Sequence, residues 1–290
     1  MYVHVFGTYF GIATSMVYSW YNVEMIDSHK KNKSDYYSIQ FAYIGSLFLW
    51  LFWPSINSAG TSGNQQQRII INTFMGLTGS AMAAFLISPI LHQTGKYKVG
   101  HLLNATFVGA VGVGTTCDVL GSPWISIFIG FLSGIISVIG FVFFSPCLEK
   151  TIRLYDTAGI NNTHGLPGIF GALIGIVYAK QATAAELGIS LTIVFPQLGV
   201  NSTRTPAFQA GMQAAALIVS FSISIAGGII TGLILRNQDW FYGPSKKEDI
   251  FNDILYFDEL EQLEKLDLGE VEDENLLSKI NDQGEDEGNK

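Results

Sequence analysis

Runs of apolar residues about as long as a membrane is thick recur along this chain, and almost no charge interrupts them. A helix rising 1.5 Å per residue needs about 20 residues to cross a hydrocarbon core of about 30 Å. Seven stretches have a suitable length, namely 1–21, 39–59, 69–91, 101–120, 124–144, 158–179 and 212–235. The composition agrees, with 48% hydrophobic and 14% charged residues and a mean hydropathy of +0.31, values foreign to a soluble globule. The sequence therefore predicts an all-α membrane protein of about seven transmembrane helices. Residues 1–236 form the membrane domain in this reading, and residues 237–290 an acidic cytoplasmic tail.

Lysine and arginine set the expected threading, because positive loops stay on the cytoplasmic side. Lys30, Lys31 and Lys33 follow the first stretch, Lys96 and Lys98 the third, Lys150 and Arg153 the fifth, and Arg236, Lys246 and Lys247 the last. The alternate loops hold only Arg68, Lys180 and Arg204. The amino end is thus expected outside and the carboxyl end inside a multi-pass protein of the cell membrane. The net charge of −8 resides in the tail, where Glu248 to Glu287 holds most of the acids. Its LYFDELEQLEKLDLG stretch allows one amphipathic helix, read as a solvated tail or as a partner-binding helix.

Cys117 and Cys147 fall on opposite membrane sides by this threading, which argues against a disulfide. No basic leader with a cleavage site opens the chain. A long outer loop is expected from Lys180 to Gly211, and in it Asn201-Ser202-Thr203 is a candidate glycosylation site. Asn104 and Asn161 match the same pattern but lie inside apolar stretches.

Ionisable groups at membrane depth are costly unless partnered, and two histidines stand out. His164 sits in DTAGINNTHGLPG (156–168) and His4 in VHVFGTYFG (3–11). Two imidazoles can satisfy each other through an N–H to N hydrogen bond. Glycines follow both, and small residues let helices approach closely; glycine and proline are also simply common in membrane helices. Asp156 precedes His164 by eight residues, about 12 Å of helix, and with Thr157 it suits the start of that helix as a cap. His29 and His92 read as loop residues and His101 as a boundary residue, all solvated. No phosphate loop, nucleophile triad or metal-ligand cluster accompanies the stretches, so neither an enzyme nor a cofactor is expected. An intramembrane haem on His4 and His164 is a weaker alternative.

These stretches, with IGSLFLWLFWPSINSA (44–59), NATFVGAVGVGT (104–115) and GGIITGLILR (227–236), resemble the Rh (Rhesus) glycoprotein branch of the ammonium transporter superfamily. The resemblance implies a trimer of subunits with eleven or twelve helices, each with a narrow hydrophobic pore. Seven helices would correspond to the carboxyl-terminal part of that fold, so the chain reads as truncated at its amino end. The family's paired histidines map onto His4 and His164, and Asn57 onto a pore-lining position. Ile56 stands where the family usually has a phenylalanine gate. Asp156 and Trp53 would support the pore structurally, and the aspartate that the family places before the first histidine would fall before Met1. The implied function is passage of ammonium or ammonia, with carbon dioxide a second substrate. A subunit that only assembles in a homotrimer or heterotrimer, its tail on a cytoskeletal partner, is the alternative. Nucleic acid is not an expected partner.

Overall fold

The computed structural model describes residues 2–19, 34–187, 190–199, 203–237 and 257. His29, Asn201 and the tail helix expected from sequence lie outside the described residues. The chain divides into one unit of Met1–Val23 with Ser34–Phe241 and another of Glu24–Lys33 with Tyr242–Lys290. All the helices below belong to the first.

In chain order they are α1 (His4–Ser19), α2 (Tyr36–Ser58), α3 (Gly63–Leu91), α4 (Val99–Ala105), α5 (Val108–Val113) and α6 (Pro123–Ile139). A π-turn, π1 (Gly140–Phe144), joins α6 to α7 (Ser145–Ile152), and a second, π2 (Asn161–Gly165), opens α8 (Leu166–Gln181). The short α9 (Ala184–Leu187) and α10 (Ser190–Val194) precede α11 (Pro206–Leu235). Four helical stretches among the described residues are long and apolar enough to cross a membrane: α2, α3, the continuous run Pro123–Ile152, and α11. The other three expected spans fall on shorter pieces, namely α1, the broken pair α4 and α5, and π2 with α8.

The break between α4 and α5 has its cause in a neighbouring helix. The buried Ser80 hydroxyl of α3 donates to the Thr106 carbonyl at 2.6 Å, and the amide of Ala110 turns to the Phe107 carbonyl. A side chain inserted into the helical ladder is a known source of such a break.

Close packing holds the centre. In lipid, helices associate through van der Waals contact and hydrogen bonds, because the tails are as apolar as leucine. A Cβ added to Gly109 or to Gly130 would collide with the carbonyl oxygen of Gly76, and one on Gly134 would lie 2.8 Å from the Ser80 oxygen. The absence of side chains at these positions is what lets α3, α5 and α6 touch backbone to backbone. A polar tie crosses the same region: Asn72 is buried, donates to the carbonyls of Cys117 and Leu120 at 2.8 Å each, and accepts from Ser126 at 2.9 Å. On the other side α1 crosses α11 at Gly228, where a Cβ would strike the Phe10 carbonyl, and the Thr14 hydroxyl bridges to the Gly228 oxygen at 3.1 Å.

Two expectations from sequence are corrected. The segment after Lys180 is no plain loop: Ala182, Leu191, Phe195 and Leu198 form a core with Val119, Ala179 and Ala210, and α11 starts at Pro206, capped by the Thr205 hydroxyl accepting from the Phe208 amide. The recurring apolar side chains of this segment cover the ends of α8 and α11. His101 is not solvated. It is 4% exposed, its Nδ1 lies 3.3 Å from the Ser88 hydroxyl, and its ring lies against Phe141 of π1 at 5.8 Å. Helix α4 starts at Val99, which carries His101 past the boundary into the helix interface.

Candidate functional site: a histidine pair framed by aromatic rings

The start of α1, the late turns of α2, the α4–α5 break and π2 converge on four rings. His4 and His164 lie with centroids 5.1 Å apart and planes 7° apart. Trp53 reaches both, at 5.9 Å from His4 and 6.1 Å from His164. Phe107 closes the group at 5.6 Å from Trp53 and 6.1 Å from His164. The rings therefore form two triangles that share the Trp53–His164 edge. Trp53 is 6% exposed and Phe107 7%, so half of the frame is dry.

Each ring is delivered by a local feature. His164 occupies π2, whose entry is held by Asp156: one carboxylate oxygen accepts from the Ile160 amide at 2.9 Å and the other from the Asn161 amide at 2.8 Å. Gly159, at φ +67°, makes the turn in the left-handed region that side chains avoid. His4 is brought close because α1 rides on glycines of the facing helix. A Cβ on Gly168 would lie 3.3 Å from the His4 Cβ, and one on Gly165 2.8 Å from the Thr8 Cγ2. Phe107 projects from the α4–α5 break, and Trp53 from α2 one residue before Pro54.

Two buried polar atoms in this region have no hydrogen-bond partner, Nδ1 of His164 and Oγ1 of Thr8. The imidazole-to-imidazole hydrogen bond expected from sequence is thus not made through His164 Nδ1. Buried polar groups are normally satisfied, and an exception signals strain or room for a hydrogen-bonding guest. Further along, the Asn161 amide approaches the Asn162 side-chain oxygen at 3.5 Å, and the Asn162 amide donates to Ser145 at 2.6 Å. No group of three or more His, Cys, Asp or Glu side chains is arranged to hold a metal ion among the described residues.

Two further sequence candidates follow Trp53 on α2. Ile56 is 62% exposed, three residues beyond Trp53 on α2. Asn57 is half-buried and spends its amide on Thr73, 3.2 Å away, and on the Ala110 carbonyl at 3.4 Å, which ties α2 to α3 and α5. Phe107 was missed by sequence reasoning: it lies within the NATFVGAVGVGT stretch, but nothing there marks its direction, which the break between α4 and α5 sets.

A model of the ammonium transporter family matches residues 1–239. The chain belongs to that family. Among family relatives, the ammonium transporter Rh type C of Canis lupus familiaris is 40% identical over 260 residues, 89% of this chain and 56% of the relative. The human ammonium transporter Rh type C is also 40% identical over 260 residues, 89% of this chain and 53% of its own length. The chain spans about half the length of these relatives. The solved structure of Nitrosomonas europaea Rh50, described with the mechanism of conduction by the Rhesus protein family of channels, shares 29% identity with a TM-score of 0.62. That likeness covers 97% of this chain and 64% of Rh50. This member is accordingly an all-α, multi-pass membrane protein with the family's fold.

Proposed function

We propose that the chain contributes the His4–His164 half of a path by which ammonia, taken from ammonium, crosses a membrane. The observation that carries this reading is the near-parallel histidine pair inside an aromatic frame, in a chain of the ammonium transporter family. The relatives' own names describe ammonium transport. A bare ammonium ion would surrender its hydration shell among these rings, at a cost of several kcal/mol or more, whereas neutral ammonia gives up far less. The unpartnered Nδ1 of His164 offers such a guest one hydrogen bond. His4 and His164 are the exchanging groups, Trp53 and Asp156 hold them in place, and Ile56 and Asn57 line the approach. The amino end faces outside and the tail the cytoplasm in a cell membrane, with subunits grouped as a trimer.

A second reading has its own support: α2 is open along most of its surface, with only 11% of its most apolar stretch buried within the chain. On that reading it is a non-conducting subunit that assembles with longer ones. Stopped-flow pH change in liposomes under an ammonia gradient separates the two, with the chain, its His164→Ala variant and empty vesicles side by side. Flux above empty vesicles that falls in the variant is the expected result. Folded, inserted protein with flux equal to empty vesicles overturns conduction and leaves the subunit reading.

A further inference from the structure

We infer that Phe107 is a positioning residue for the histidine pair: its ring holds the His164 imidazole in register with His4 and excludes water from the neighbourhood of Nδ1. The inference rests on the reading of the pair as a site of passage, and it assigns a role to a residue that the histidine motif does not contain.

Packing fixes the orientation of His164. Its Nδ1 is buried without a hydrogen-bond partner, so no polar contact at that atom sets the angle of the ring. What remains is ring contact, with His4, Trp53 and Phe107 at 5.1, 6.1 and 6.1 Å. A buried imidazole held by packing turns when the packing is removed, because a gap forfeits the dispersion contact on that side.

Phe107 can hold a neighbouring ring because it is itself anchored. It stands in the break between α4 and α5, where the Ser80 hydroxyl grips the Thr106 carbonyl at 2.6 Å. Two residues on, Gly109 is pressed against the Gly76 carbonyl. The ring is packed with Trp53, Leu77, Ala110 and Val111. The backbone that carries it is thus fixed on both sides of the ring, and the ring contacts His164 from an anchored support. Were the ring absent, the gap would open beside the His164 imidazole, and a cavity with a polar wall admits water where an apolar one stays dry. Water there would let a hydrated cation or a proton follow the neutral molecule.

The test uses the whole chain in liposomes, as wild type, Phe107→Ala and Phe107→Leu. One readout is hydrogen–deuterium exchange at the histidine ring C2 position, followed by mass spectrometry, which reports imidazole solvation without any transport. The second is the ratio of ammonia-driven pH change to proton leak. Phe107→Ala is expected to speed exchange at His164 several-fold and to lower the flux ratio, while Phe107→Leu, which refills most of the volume, restores both. His101 serves as the internal reference and is expected not to respond. If Phe107→Ala fails to fold, Phe107→Val replaces it with the same expectation at smaller amplitude. Unchanged exchange at His164 in a folded truncation variant overturns the inference, as does equal acceleration at His101, which would signal general loosening. Exchange that responds as expected in a chain whose wild type carries no flux sustains the positioning role and sinks the conduction reading alone.

Discussion

Helices α2 and α3 are neighbours, each long and apolar enough to cross a membrane, yet they meet their surroundings in opposite ways. In α3, 39% of the most apolar stretch is buried within the chain, against 11% in α2. The difference lies in side-chain size. Helix α3 presents Gly76, Gly79, Ser80 and Ala83 to its partners, and backbone reaches backbone. Helix α2 presents Phe41, Ile44, Leu47, Phe48 and Leu51, all well exposed, and holds on through Trp53, Pro54 and Ser58 near its end. Where lipid is the solvent, bulky apolar residues mark the surface and small ones the interior, the reverse of the rule for proteins in water.

The largest expected effect comes from overfilling the tight side. Gly130→Leu drives a side chain into the Gly76 backbone and should cost about 3 kcal/mol or more, read as loss of monodisperse protein in a detergent thermal ramp. Next is Asn72→Ala, which strands two carbonyls and the Ser126 hydroxyl; about 2 kcal/mol is expected in the same assay. On the open side, Phe48→Ala removes a ring that is 59% exposed and should change stability by no more than about 0.5 kcal/mol. A cost as large as that of Asn72→Ala would undo the contrast between the two helices, because it would mean that another surface covers this face of α2.

The smallest effect is a pH dependence at the start of α2. Asp35 caps the helix by accepting from the Ser38 amide, and that bond holds its carboxyl below the usual carboxylate range. A lowered folded value means that the cap contributes fully above the unfolded value of about 3.9 and is lost as pH falls through the folded one. Amide protection at Tyr37 to Gln40, measured against the intrinsic exchange rate at each pH, should therefore stay level from neutral pH down to about 5 and fall in stronger acid. Asp35→Asn, which caps without titrating, should abolish the dependence.

Much of the architecture was legible because its causes are local or compositional. The spans on α2, α3, α6 and α11 announce themselves as long apolar runs, and the DTAGINNTHGLPG motif marks the turn where Asp156 caps the helix that carries His164. Other features depend on contacts between distant residues. The expected span 101–120 is two helices because Ser80, more than twenty residues upstream, takes the Thr106 carbonyl. His101 resembles a boundary residue until Ser88 and Phe141 enclose it.

Length and residue type were enough to specify a bundle of apolar helices, to note the glycines beside His4 and His164, and to pick out those two histidines as members of a family motif. Folding in three dimensions was needed for Trp53 and Phe107, from separate helices, to complete the frame around His4 and His164, and for Nδ1 of His164 to be left without a partner. The physical reason is that ring-to-ring geometry depends on how four separate elements converge. That convergence is set by close contacts at glycines and by one serine hydroxyl, which join helices far apart in sequence.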